Sequence, residues 1–125
     1  MTLDTTINDD VRWTTVCAYP RLEPERGVAA LVDGEQVAVF RTYDGRLFAI
    51  GQQDPISRAF VMARGIVGSR GEAPTVASPL HKQVYDLRTG HCLDVPGVAV
   101  PVYRVRCRDG LVEVAPRPQP AAGDS

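Results

Sequence analysis

The chain has 125 residues, 44% of them hydrophobic and 23% charged, which suits one compact domain and excludes disorder through most of its length. Fourteen basic and fifteen acidic residues leave a net charge of −1, so no overall positive field exists to hold a nucleic acid backbone. The longest apolar runs, residues 28–32 and 59–63, fall far short of the roughly 20 residues a membrane-spanning helix needs. Segment 1–10 is polar and acidic, lacks the apolar stretch of a secretory signal, and so predicts a flexible N-terminus on a cytoplasmic protein.

Valine outnumbers leucine 17 to 8, and 11 glycines and 10 prolines punctuate the chain. β-Branched side chains suit a pleated surface, so the composition predicts an all-β sandwich or small barrel of short strands. The first strand is expected over 13–17, followed by a short helical turn around 22–26. Residues 27–32 and 36–41 form a hairpin across Asp33-Gly34, whose composition is that of a type I′ turn. A second such pair, Asp44-Gly45, leads into a strand over 46–50 and completes a three-stranded meander. Residues 51–73 read as a long functional loop with one short strand. Segments 75–78 and 83–86 then flank a proline-bearing loop, Ser78-Pro79-Leu80-His81-Lys82. A turn at Arg88-Thr89-Gly90 precedes a strand over 100–107, with Pro101 at its start or on an edge. The last hairpin turns at Arg108-Asp109-Gly110 into 111–114. Residues 115–125 hold three prolines without apolar periodicity and read as a disordered tail, which leaves 11–114 as the folded domain.

Common catalytic patterns are missing. The histidines are His81 and His91, and no serine sits in a nucleophile elbow. Neither GxGxxG nor GxxxxGK[ST] occurs, so nucleotide binding has no support. His91 and Cys92 are adjacent and, on a strand, point to opposite faces, which argues against a shared metal ion. Cys17, Cys92 and Cys107 are odd in number and widely spaced, which predicts reduced, mostly buried thiols rather than a disulfide framework.

The informative pair is Asp54-Pro55-Ile56 and Ser78-Pro79-Leu80-His81. Together these loops resemble those of a Rieske domain, which holds a [2Fe-2S] cluster between a C-P-H loop and a C-x-x-H loop, with two thiolates on one iron and two imidazoles on the other. The resemblance puts Asp54 and Ser78 at the cysteine positions, and Ile56 and His81 at the histidine positions. Isoleucine offers no donor atom, serine offers no alkoxide near neutral pH, and Asp54 offers oxygen where the cluster takes thiolate. The chain thus resembles a Rieske-like β-sandwich or barrel, with two loop-bearing hairpins at one end and vacated cluster positions.

Over about residues 11–114 it is also similar to a more particular family, the small subunits of assimilatory NAD(P)H-dependent nitrite reductase. The similarity rests on Trp13, Cys17, Gly27-Val28-Ala29-Ala30-Leu31-Val32, Gln36-Val37-Ala38-Val39-Phe40 and Asp54-Pro55. It continues in Arg64-Gly65-Ile66-Val67-Gly68, Ala77-Ser78-Pro79-Leu80-His81-Lys82-Gln83, Asp86-Leu87-Arg88-Thr89-Gly90 and Cys92-Leu93-Asp94. By this resemblance the partner is a large subunit that carries siroheme, an iron-sulfur cluster, FAD and the NAD(P)H site and reduces nitrite to ammonium. This chain would bind no cofactor itself and serve a structural or regulatory role.

Two expectations follow for the loops. Asp54 is expected to pair with Lys82 or Arg58, while Ile56 and Leu80 fill the apolar space that sulfide would occupy. Gln52, Gln53, Arg58, His81 and Lys82 are expected to form the partner surface. The competing readings are a cluster-bearing Rieske-type electron carrier, which requires the missing C-x-H and C-x-x-H, and a β-sandwich interaction module with another partner.

Overall fold

The structure, a computed structural model, describes residues 11–118. Its strands are β1 (Thr14–Ala18), β2 (Arg26–Val32), β3 (Glu35–Arg41), β4 (Leu47–Gly51), β5 (Ile66–Arg70), β6 (Ala73–Ala77), β7 (Val84–Asp86), β8 (Val102–Arg108) and β9 (Leu111–Pro118). They form a six-stranded sheet of order β1-β9-β8-β4-β3-β2, curled into a nearly closed barrel, and a three-stranded sheet of order β5-β6-β7. Every pairing is antiparallel.

Strand β3 explains why two cores coexist. Val37 and Val39 point into the barrel with Leu22, Val32, Ala49, Tyr103, Val112 and Val114. Ala38 and Phe40 point the other way, into a second core with Ile50, Met62, Val76, Tyr85, Leu87, Cys92 and Val100 between the two sheets. A strand covered on both faces needs an unbroken apolar run, and residues 37–40 supply one. Burying the Phe40 ring alone contributes roughly 2–3 kcal/mol. The β2 backbone closes over that ring at Gly27, where an added Cβ would lie 2.5 Å from Phe40 Cε1 and 2.7 Å from the Ala63 carbonyl oxygen.

The β2–β3 turn has the expected type I′ form, with φ of 52° at Asp33 and 85° at Gly34. Asp44-Gly45 works differently: only Gly45 takes a positive φ, 89°, and the Thr42 hydroxyl organises the turn by donating to Asp44 Oδ1 and accepting from the Arg46 N–H. In place of a helical turn around 22–26, one turn of 3₁₀ helix spans Tyr19–Arg21, with a proline among its first residues, while Leu22 is buried in the barrel.

Strand β9 reaches Pro118, so residues 115–118 are strand and not the start of the expected tail. Among the described residues, pairing with β1 ends at Thr14 opposite Val114, and prolines are tolerated where a strand has no ladder partner. The expectations for 1–10 and 119–125 lie outside the described residues. Cys92 is buried and Cys17 half-buried, but Cys107 is exposed on β8 and departs from the expectation of buried thiols. Among the described residues no helix is long and apolar enough to cross a membrane.

Candidate functional site

Two loops project from the end of the second core, and their backbones repeat one design. The first leaves β4 and runs over residues 54–59, while the second joins β6 to β7 over residues 78–83. In the first, Asp54 N–H donates to the Ala59 carbonyl (2.8 Å) and Arg58 N–H to the Asp54 carbonyl (2.7 Å). In the second, Ser78 N–H donates to the Gln83 carbonyl (2.9 Å) and Lys82 N–H to the Ser78 carbonyl (3.0 Å). A proline follows the opening residue of each loop, and the fifth residue of each is left-handed, with φ of 72° at Arg58 and 62° at Lys82.

The opening side chains fold back on their own loops. Asp54 Oδ1 accepts from the N–H groups of Ile56 (2.8 Å) and Ser57 (3.3 Å), and Ser78 Oγ accepts from Leu80 N–H (3.3 Å). These are the local side-chain turns that Asp and Ser favour. The Ser78 hydroxyl also donates to Asp54 Oδ2 at 2.5 Å, and both residues are buried. One short hydrogen bond to a carboxylate therefore joins the loops, in the distance range of a charge-assisted O–H···O⁻ contact.

This bond replaces the expected ion pair. Among the described residues no lysine or arginine lies within 4.0 Å of Asp54, and neither Lys82 nor Arg58 partners it. Burial pushes the Asp54 carboxyl up, but the hydrogen bonds from Ser78, Ile56 and Ser57 outweigh it and hold the group below the ordinary carboxylate value. The chain satisfies the charge with donors from its own turns, which a reading of formal charges does not reveal.

Other expectations are corrected too. Ile56 (37% exposed) and Leu80 (51%) fill no internal space and stand at the loop tips, beside the half-exposed Phe60 (50%). Gln52 is buried and is no surface residue: its amide N–H donates to the Phe60 carbonyl (3.1 Å), and its Oε1 accepts from Ala63 N–H (2.8 Å), which clamps the return of the first loop. Gln53, Arg58, His81 and Lys82 are exposed, with the Gln53 amide donating to the Arg58 carbonyl (3.0 Å). Phe60 was not among the expected surface residues; its backbone bridges Gln53 across the loop. Tyr85, also not anticipated, has a buried hydroxyl with no hydrogen-bond partner among the described residues; burial, then the nearby Asp54 charge, pushes this phenol up. His91 is exposed and Cys92 buried, so they face apart.

As a donor set, the four positions do not suit a [2Fe-2S] cluster. Ile56 has no ligating atom, both Asp54 oxygens are engaged with the loops, Ser78 Oγ donates to Asp54, and His81 is the one imidazole. Among the described residues no three His, Cys, Asp or Glu side chains converge as a metal site.

The fold nonetheless has a clear affiliation. Residues 12–115 match the model of the Rieske-like [2Fe-2S] domain. The nitrite reductase (NADH) small subunit of Escherichia coli (strain K12) is 38% identical over 104 residues, covering 82% of this chain and 96% of that one. A crystal structure from Mycobacterium tuberculosis, described as an NADH-dependent nitrite reductase small subunit, superposes with a TM-score of 0.82 at 52% identity, covering 84% of this chain and 95% of that one. A nitrite reductase [NAD(P)H] large subunit of Klebsiella oxytoca is 34% identical over 102 residues, which span 82% of this chain but 11% of that one. The chain belongs to the Rieske-like [2Fe-2S] domain family and, within it, to the nitrite reductase small subunits.

Proposed function

We propose that the chain is an accessory subunit of a cytoplasmic NAD(P)H-dependent nitrite reductase, acting in nitrate assimilation, and that it binds no [2Fe-2S] cluster. The carrying observation is the Asp54–Ser78 hydrogen bond, which joins the two residues that the Rieske resemblance puts at thiolate positions and ties the loops that a cluster would otherwise join. Without cysteines at these positions, and with one imidazole, the loops lack the donor set of a [2Fe-2S] electron carrier. Siroheme, iron-sulfur cluster, FAD and NAD(P)H belong on the large subunit in this reading, and the role here is structural or regulatory.

The Klebsiella relative supports the partner. There a segment similar to this chain forms part of a polypeptide named as the large subunit. A tethered arrangement makes sense for parts that work in contact. Iron analysis and a visible absorption spectrum of freshly purified protein test the cluster-free reading; stoichiometric iron with a coloured product would overturn it in favour of an electron carrier. Nitrite reduction by the large subunit, with and without this chain, tests the role: a clear gain in rate or enzyme lifetime is expected, and no change in either would overturn it.

A further inference from the structure

Building on the proposed large-subunit partner, we infer that the loop tips dock through an apolar centre, Ile56, Phe60 and Leu80, flanked by the polar His81 and by the cations Arg58 and Lys82, onto an apolar patch edged by carboxylates on that subunit. Three of the exposed large hydrophobic side chains of the described chain lie on or beside these two loops. Exposed apolar groups gathered at one end mark a contact surface more strongly than the same groups scattered singly.

The charge pattern selects the partner's chemistry. The chain as a whole carries −1, yet the loops expose Arg58 and Lys82 and no acid, since their one carboxylate, Asp54, is buried and held by hydrogen bonds. A second copy of this chain would bring like charges together, whereas a carboxylate-edged surface gains steering and register from them. At the other end of the molecule charges are mixed and paired. Tyr43 is exposed there beside the Asp44–Arg46 ion pair, and Glu25 and Glu72 line the neighbouring cleft. That end has no single sign of charge to offer.

The tips are also preorganised. Main-chain bonds, the Asp54 and Ser78 side-chain turns and the bond between them fix both loops before contact, so little ordering entropy is lost on docking. Beside the first loop a groove of about 340 Å³, lined by Pro55, Phe60, Ala99 and Pro101 and carrying the exposed Glu35 of β3, gives room for a protruding partner side chain.

The test is binding of the purified full chain to the purified large subunit at low and high salt. Wild type is expected to bind, more weakly as salt rises. Phe60→Ser with Leu80→Ser, and separately Arg58→Glu with Lys82→Glu, should each weaken binding at least tenfold, and the charge reversal should also invert the salt dependence, because salt screens the repulsion it creates. Tyr43→Ser, at the opposite end, should bind as wild type does. Tip variants that bind like wild type, or a Tyr43→Ser loss as large as theirs, would overturn the docking surface while leaving the partner intact. Wild type that fails to bind at all would overturn the partner itself, and self-association lost in the tip variants would assign the surface to a second copy.

Discussion

The loop over 54–59 and the loop over 78–83 share a backbone but not a chemistry. Each has a hydrogen-bonded opening, a proline at its second position and a left-handed fifth residue. One opens with a carboxylate that only accepts, the other with a hydroxyl that can donate and accept at once. The pairing works because they differ: two aspartates would repel and two serines would carry no charge assistance. Main-chain bonding therefore sets the shape of each loop, and side-chain complementarity sets how the loops meet.

Removing the acceptor should break this arrangement most. Asp54→Ala leaves the Ile56 and Ser57 N–H groups and the Ser78 hydroxyl without their partner, at an expected cost of about 3 kcal/mol, read as a lower urea midpoint. Ser78→Ala strips one donor from a buried carboxylate and should cost about 2 kcal/mol. Because the two residues share a bond, the double variant should lose less than the sum of the singles, and strict additivity would deny the coupling.

The charge itself is accessible through pH. The folded-state value of Asp54 is depressed relative to the unfolded one, so its stabilisation is fully present above the unfolded value of about 4 and is lost as pH falls through the folded one. Urea midpoints measured below pH 5 should fall more gently with acid in Asp54→Asn than in wild type. The smallest effect concerns the shared backbone. Arg58→Gly and Lys82→Gly each relieve a left-handed non-glycine residue and should stabilise the protein by a similar amount, about 0.5 kcal/mol. Unequal responses would show that the two loops are not mechanically alike.

Much of the scaffold was legible because it rests on local rules. Asp33-Gly34 announces its turn through the positive φ that the turn demands, and residues 36–41 were legible as its second strand, though not as one covered on both faces. Asp-Pro and Ser-Pro likewise marked both loops. The Asp54–Ser78 bond was not legible, since it spans 24 residues and depends on how two hairpins face each other. Ile56 and Leu80 were misjudged because hydrophobicity predicts burial only where a periodic element assigns a face, and turns assign none. Gln52 was misjudged in the opposite sense: an amide can be interior when it bridges main-chain groups on both sides, as here with Phe60 and Ala63.

Strand β3 carries a consequence for the molecule as a unit. Its side chains alternate between two interiors, with Val37 and Val39 on one side and Ala38 and Phe40 on the other. Neither interior can melt without exposing the wall of its neighbour, so the barrel and the loop-bearing sheet should open in a single cooperative event, with their slowest amide protons exchanging at one common rate limit. The loops at the tip can then vary in side-chain chemistry without loosening the frame that presents them.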